Sequence, residues 1–585
     1  PAVSEQIRHP EPEAVAPAGE GEKIRNGGDL VVETLEALGT TTVFGIPGQH
    51  ALGLFDALRR SGLHFMSSRV ENNAAFAADG YSRVSGKPAA LFLSTGPGAL
   101  TALPGLQEAY ATSVPMVVVA SQVPVSGLGG ARRGMLHQLD EQRRAAIDVT
   151  KSQRTVTHHA AIPTAIESAW VEAMTYPRGP VWVEVPQDVL LAKTEIPPIR
   201  TAVSAPTPEG PRPELVWAAV KLLAGAKRPA IVAGGGVRRA GAERALLALA
   251  EKLDAPVVCS PGGNSGFPVD HPLSMGSWVE DRAVTDLLAD ADVLLAVGTS
   301  LGEVTSNYFT LKPAGKLIHV DAEPRVLESN HPALGIACDA KAALDAFVAA
   351  FPAEAPAGRA SGAERAAEVR KAIVARLDGQ VLAHERAFMD AIRAGIPDEV
   401  PTFWDMTIAA YWAWNCWDGR SGGFHSGQGA GGLGFAFPAA LGGAVALAEK
   451  RGAKLTDVDA AFSVGGHERV VAVAGDGSSM YSIAELATAV QHGIPVTWLI
   501  VDDGGYGILR EYMEATFGQA THTELARPDF VALAESFGVE AQEVAVGDEV
   551  GYGELTDALR ATFAADVNGP RVIVVKTHLE MFAMS

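Results

Sequence analysis

Cysteine is scarce. The 585-residue chain has three, Cys259, Cys338 and Cys416, far apart in the sequence. That excludes a disulfide framework and any paired metal-ligand spacing, and it matches a reducing compartment, so a cytoplasmic setting is expected. Long apolar runs are missing too: no stretch of about 18 uncharged apolar residues occurs, so no membrane span is expected. Residues 1–22 are rich in Pro, Glu, Ala and Gly and lack the apolar core of a signal peptide, so they read as a disordered tail. Positive charge is the third shortage. The chain has 47 Lys and Arg against 68 Asp and Glu, a formal net charge of −21. Such a balance favours solubility and disfavours nucleic acid as a partner.

What remains is ordinary globular composition, 47% hydrophobic and 20% charged, with ample material for large cores. Two stretches read as linkers, 197–213 (PPIRTAVSAPTPEGPRP) and 352–366, both dense in Pro, Ala, Gly and Ser. They leave three blocks, 23–196, 214–351 and 367–585, each of domain size. Every block alternates apolar runs with amphipathic segments. The runs include TTVFGIPG, AALFLSTGPG and PMVVVASQVP in the first block, PAIVAGGG, ADVLLAVGTS and KLIHVDAEP in the second, and RVVAVAGDGS, PVTWLIVDDGG and PRVIVVKTH in the third. Continuous apolar strands between helices predict α/β architecture: three doubly wound parallel-sheet domains. Ligands of such sheets bind at the carboxyl ends of the strands.

The third block carries the most informative segment, GDGSSMYSIAELATAVQHGIPVTWLIVDDGGYGILR. Asp476 directly follows one apolar run, and Asp502 and Asp503 end the next. Two adjacent parallel strands would each deliver an aspartate, and a helix starting after Ser479 would turn its amino terminus to the same place. Hard divalent cations take carboxylate, carbonyl and phosphate oxygens, and a helix amino terminus favours anions. A metal clamping a diphosphate would fill such a site. Alone, each half is equally well a turn, since Asp and Gly are common turn formers.

Together the two halves resemble the signature of thiamine-diphosphate enzymes, in which GDG is followed by one helix, one strand and an Asn-Asn pair. The resemblance implies that Asp476 and Asp503 ligate Mg²⁺ through side chains and Gly505 through its carbonyl. Gly475, Gly477, Ser478 and Tyr506 would then border the diphosphate. This chain departs in having Asp-Asp, which adds a carboxylate beside the cofactor. The resemblance extends upstream. VFGIPG followed by SSRVENNAAFAADGYSR is similar to the pyrimidine-binding domain of the same family, which places Glu71 on N1′ of the aminopyrimidine. A glutamate in a first helical turn otherwise simply complements the helix dipole. GQGAGGLGFAFPAALGGA resembles the segment before the metal motif. By this register Leu433 is the wedge beneath the bent cofactor, and the Gly431 carbonyl accepts from the 4′-amino group. In the family Glu71 and the metal site come from different subunits, which implies a homodimer or homotetramer with sites at the dimer interface.

Acetolactate synthase-like enzymes carry a turn similar to STGPG at 94–98, without the histidines that decarboxylases place nearby. The loop RRGMLHQLDEQRR resembles one that brings a glutamine to the thiazolium, which makes Gln138 and His137 catalytic candidates; His50 and Gln49 are also expected to face the cleft. The family pattern expects a histidine-glutamine pair where this chain has Met406, Thr407 and Ile408. Residues 448–469 look like a surface excursion, and the segment after Gly507 falls where the family has a mobile closing loop. The central block matches GxGxxG poorly; the family binds FAD, another nucleotide or nothing there, and Gly234–Gly236 is equally a tight turn, so FAD is possible but not supported. The expected activity is acetolactate synthase-like: a pyruvate-like 2-oxo acid is decarboxylated and the resulting enamine is ligated to a carbonyl acceptor. The alternatives are decarboxylation alone, C–C cleavage or oxidation with the same cofactor, or a non-catalytic cofactor-binding homologue.

Overall fold

The computed structural model describes residues 24–202, 207–352, 358–452, 469–547, 551–564 and 566–583. The expected tail at 1–22 and most of the expected surface excursion, 453–468, lie outside the described residues.

Three parallel sheets organise the chain. The first contains β1 (Thr42–Gly45), β2 (His64–Ser67), β3 (Ala89–Leu93), β4 (Met116–Gln122), β5 (Gln153–Thr155) and β6 (Pro180–Pro186), ordered β2-β1-β3-β4-β6-β5. The second contains β7 (Pro229–Ala233), β8 (Val257–Cys259), β9 (Val293–Val297), β10 (Lys316–Asp321) and β11 (Leu334–Ala337), ordered β11-β10-β9-β7-β8. The third contains β12 (Thr402–Trp404), β13 (Phe424–Ser426), β14 (Val470–Gly475), β15 (Val496–Asp502), β16 (Glu540–Val544) and β17 (Arg571–Lys576), ordered β13-β12-β14-β15-β17-β16. The first and third sheets therefore share one topology. Central strands such as β4 and β15 are buried along their whole length, which is why they read as unbroken apolar runs.

The first and third sheets are joined by a helix pair. The helix Glu71–Ser85 lies against the helix Ala436–Lys450, and glycines set the approach. A Cβ on Gly442 would sit 1.8 Å from the Ala77 carbonyl oxygen, and one on Gly80 would sit 1.9 Å from that of Ala439. The Phe76 and Phe435 rings meet edge to face at 5.5 Å between centroids. Polar bonds complete the seam. Arg83 pairs with Glu108 at 2.9 Å, and Glu108 accepts from the Gly429 and Ala430 amides. Buried Glu485 accepts from the amides of Arg69 and Val70 and from Asn73 Nδ2.

The amphipathic helix expected after Ser479, at about residues 483–492, runs over Glu485–His492, and its first residue bonds across this inter-domain seam. Asp476–Ser479 forms its own short helical turn, in which the Gly475 amide donates to Ser478 Oγ at 3.1 Å.

The Gly442 contact makes a direct stability prediction. Gly442→Ala drives a methyl into the Ala77 carbonyl and forces the two helices apart, costing about 1–3 kcal/mol as other overpacked sites do. Urea denaturation should show a lowered midpoint; an unchanged midpoint would mean that the helices do not depend on this close approach.

Candidate active site

The carboxyl ends of β14 and β15 build the core of the site. The two strands are parallel neighbours, with Gly475 opposite Val501, so the residues that follow them converge. Asp476 is almost fully buried, and neither of its carboxylate oxygens has a hydrogen-bond partner among the described residues. Asp503 lies beside it and accepts from the Gly505 amide at 3.3 Å. Burial first, and then the charge of Asp503, push the Asp476 carboxyl well above the usual carboxylate range; burial also raises Asp503. A dry carboxylate pair with open lone pairs is unfavourable unless a cation arrives. The hydroxyls of Thr407, Ser479 and Ser482 are likewise buried without partners.

Thr407 and Asp503 border a cleft of 230 Å³, with Asp476 buried just behind its wall. Gly475, Gly477, Ser478, Asp503, Gly505 and Tyr506 line one part of it, and Gly431 and Leu433 another. Met406, Ile408, Ile508, Leu509 and Leu579 make much of its apolar wall. The expected cofactor residues on the third domain are thus brought together. Among the described residues no group of three or more His, Cys, Asp or Glu side chains is placed to hold a metal. A hard cation here would take the two aspartates and fill its shell from a carbonyl such as that of Gly505, from phosphate and from water. The orphaned Asp476 oxygens and the free hydroxyls fit a metal-bound diphosphate.

Asp405, which the sequence reading missed, fixes the turn that carries Leu433. It follows β12 and is buried. Its carboxylate accepts from Gly434 N at 3.0 and 3.1 Å, from Ala436 N at 3.3 Å and from Met406 N at 3.0 Å. Burial raises it to about 6, against the opposing pull of these amides. Gly434 needs its positive φ of 89°, and a Cβ there would meet Tyr481 at 2.6 Å.

Glu71 opens its helix and does not line this cleft. It belongs to a second cluster on the first domain. A Cβ on Gly98 would lie 3.2 Å from Glu71 Oε1, and one on Gly96 would lie 2.4 Å from the His137 carbonyl oxygen. No side chain donates to the Glu71 carboxylate among the described residues, and burial raises it. His50 and His137 meet edge to face with centroids 5.4 Å apart. The Nδ1 of each, and Ser94 Oγ, are buried without partners. Burial, and then the nearby His137, hold His50 below the ordinary histidine value. No histidine is adjacent to the 94–98 turn in sequence, but the loop that follows β4 brings the His137 backbone and Cβ to Gly96 from 41 residues beyond it.

Gln138 does not present a free amide in this conformation. Its Nε2 donates to the carbonyls of Gly127 and Arg132, and its Oε1 accepts from Gly134 N and Met135 N. Another glutamine, unnoticed in the sequence, supports the turn: buried Gln142 accepts from Gly96 N at 2.8 Å and donates to Glu184 at 3.0 Å. In the central domain, Gly235 and Gly236 border an 820 Å³ cavity together with Arg239, Gly298 and Asp321. The Gly234–Gly236 turn thus opens onto space of ligand size.

Comparison with known proteins agrees with this geometry. The N-terminal TPP binding domain, central domain and C-terminal TPP binding domain of thiamine pyrophosphate enzymes match residues 25–144, 216–347 and 405–575. The chain belongs to the thiamine pyrophosphate enzyme family, as the two metal-motif halves and the Glu71 region led one to expect. It is 32% identical over 547 residues to a probable 2-ketoarginine decarboxylase of Pseudomonas aeruginosa, covering 93% of this chain and 92% of that one. It is 31% identical over 548 residues to a probable acetolactate synthase large subunit of Methanocaldococcus jannaschii, covering 90% and 88%. Its fold matches that of the thiamine diphosphate-dependent 4-hydroxybenzoylformate decarboxylase of Rhodococcus jostii RHA1 with a TM-score of 0.78 at 24% identity, over 95% of this chain and 99% of the other. Among the described residues no helix is long and apolar enough to cross a membrane.

The Asp405 network predicts a coupled loss. Asp405→Ala strands several buried amides and should cost about 2–4 kcal/mol of stability. It should also weaken thiamine diphosphate binding by releasing the Leu433 turn. Thermal unfolding and calorimetry check both; normal binding in a folded variant would detach Asp405 from the site.

Proposed function

We propose that this enzyme uses thiamine diphosphate and Mg²⁺ to decarboxylate a 2-oxo acid and transfers the remaining fragment to a carbonyl acceptor. The observation that carries the reading is the buried Asp476 carboxylate beside Asp503, neither of whose oxygens has a hydrogen bond. Asp476 and Asp503, with the Gly505 carbonyl, hold the metal; Gly475, Gly477, Ser478 and Tyr506 border the diphosphate, and Thr407 offers it a hydroxyl. Leu433 supports the bend of the cofactor, and the Gly431 carbonyl accepts from its 4′-amino group. When bound, the cofactor supplies the nucleophilic carbon and the electron sink that loss of CO₂ requires. Burial raises the Glu71 carboxyl, which favours sharing a proton with N1′ of the aminopyrimidine.

Because Glu71 stands outside the Asp476 cleft of its own chain, the complete site requires a second copy, and the working form is a homodimer or a pair of homodimers. The apolar wall of Met406, Ile408, Leu509 and Leu579 excludes water and receives the organic part of the substrates. Gln138 fixes the loop that presents His137. Likeness over about nine-tenths of the chain to acetolactate synthase large subunits supports ligation as the outcome. A second reading, protonation and release of an aldehyde, is favoured by the Nδ1 atoms of His50 and His137, buried without hydrogen-bond partners and suited to proton delivery. The likeness to the probable 2-ketoarginine decarboxylase supports it too.

Calorimetry with stripped protein, thiamine diphosphate and Mg²⁺ tests the cofactor assignment. Asp476→Ala should abolish metal-dependent binding; unchanged binding removes the metal site. Glu71→Gln should retain the cofactor yet lose roughly 10²-fold or more in CO₂ release from its 2-oxo acid, and full turnover in that variant would refute the activating role. Product analysis separates a hydroxyketone from an aldehyde. His137→Ala and His50→Ala should reduce aldehyde release more than ligation.

A further inference from the structure

We propose that Arg527 is a charge-compensating positioning residue, held by Asp502, that lets an Asp-Asp turn accept a diphosphate. The inference rests on the cofactor reading above and concerns a pair outside that reading. Three carboxylates, Asp476, Asp502 and Asp503, crowd the adjoining carboxyl ends of β14 and β15. Asp476 and Asp503 supply the charge that a divalent cation neutralises, so Asp502 adds a negative charge next to an anionic ligand. Arg527 answers that charge: its Nε donates to Asp502 Oδ1 at 2.7 Å and stands 3.7 Å from Asp476 Oδ2.

The segment carrying Arg527 is pinned to the same turn. Tyr506 N donates to the Thr523 carbonyl at 2.9 Å, and Leu525 N donates to that of Gly504 at 3.2 Å. Asp502 has 4% of its side chain exposed, so its charge acts in a poorly screened setting. With Arg527 in place the pair is neutral, as an amide at position 502 would be. Without it, the surplus carboxylate repels the diphosphate and attracts a bare cation.

The two ligands should therefore respond in opposite directions. Calorimetry on the full chain, with Mn²⁺ alone and with thiamine diphosphate plus Mg²⁺, reads both. Arg527→Gln should weaken the cofactor roughly tenfold and leave Mn²⁺ alone equally or more tightly bound. Arg527→Lys should keep most of the cofactor affinity, because it keeps the charge. Asp502→Asn combined with Arg527→Gln should restore cofactor binding to within about twofold of the parent chain. Weakening of both ligands by Arg527→Gln, no change in either, or a double variant as weak as the single one would overturn the compensation. A parent chain that binds no thiamine diphosphate would instead overturn the cofactor reading itself.

Discussion

Two carboxylates are forced together in a dry place, and the rest of the site follows from that constraint. The register of β14 on β15 puts Asp476 and the Asp502–Asp503 turn at one sheet end, where both Asp476 oxygens are buried without a hydrogen bond and Arg527 Nε stands 3.7 Å away. Such an arrangement is costly in the isolated chain and favourable once a divalent cation enters. Around that turn lie the short helix Asp476–Ser479, the Thr407 hydroxyl, buried without a hydrogen bond, and the Arg527–Asp502 ion pair.

The second constraint is mechanical. The helices Glu71–Ser85 and Ala436–Lys450 approach at Gly80 and Gly442 until backbone meets backbone. That contact, with Arg83, Glu108 and Glu485, fixes the first domain on the third. Glu71 begins the very helix that makes the seam, so its position is set by packing as much as by its own loop. Glu71 is not among the residues that line the cleft at Asp503.

Legibility in the sequence followed burial. Strands covered on both faces, such as MVVVASQ and VTWLIVD, are unbroken apolar runs, and the three-sheet architecture could be read from them. Short edge strands gave no such signal: QRT at β5 and the partly exposed EAQEV at β16 carry too little apolar pattern. Site residues tied to local strings, GDG before a helical turn and DDGG after a strand, were visible for the same reason. Residues whose role depends on distant partners were not. Asp405 matters because four amide bonds reach it from positions 406 to 436, and Arg527 because it returns to a turn 25 residues earlier. The His137 backbone and Cβ reach Gly96 only through the folded loop. Gln138 shows the converse, a residue singled out by resemblance whose amide is consumed by its own loop.

The central claim is that a metal ion bridges Asp476 and Asp503 to a diphosphate. Phosphorus magnetic resonance of thiamine diphosphate bound with Mn²⁺ tests it most directly. The account predicts that both diphosphate signals broaden beyond detection when Mn²⁺ replaces Mg²⁺ and stay broadened on the protein. Sharp signals from protein-bound cofactor in the presence of Mn²⁺ would contradict it, since the ion would then lie elsewhere.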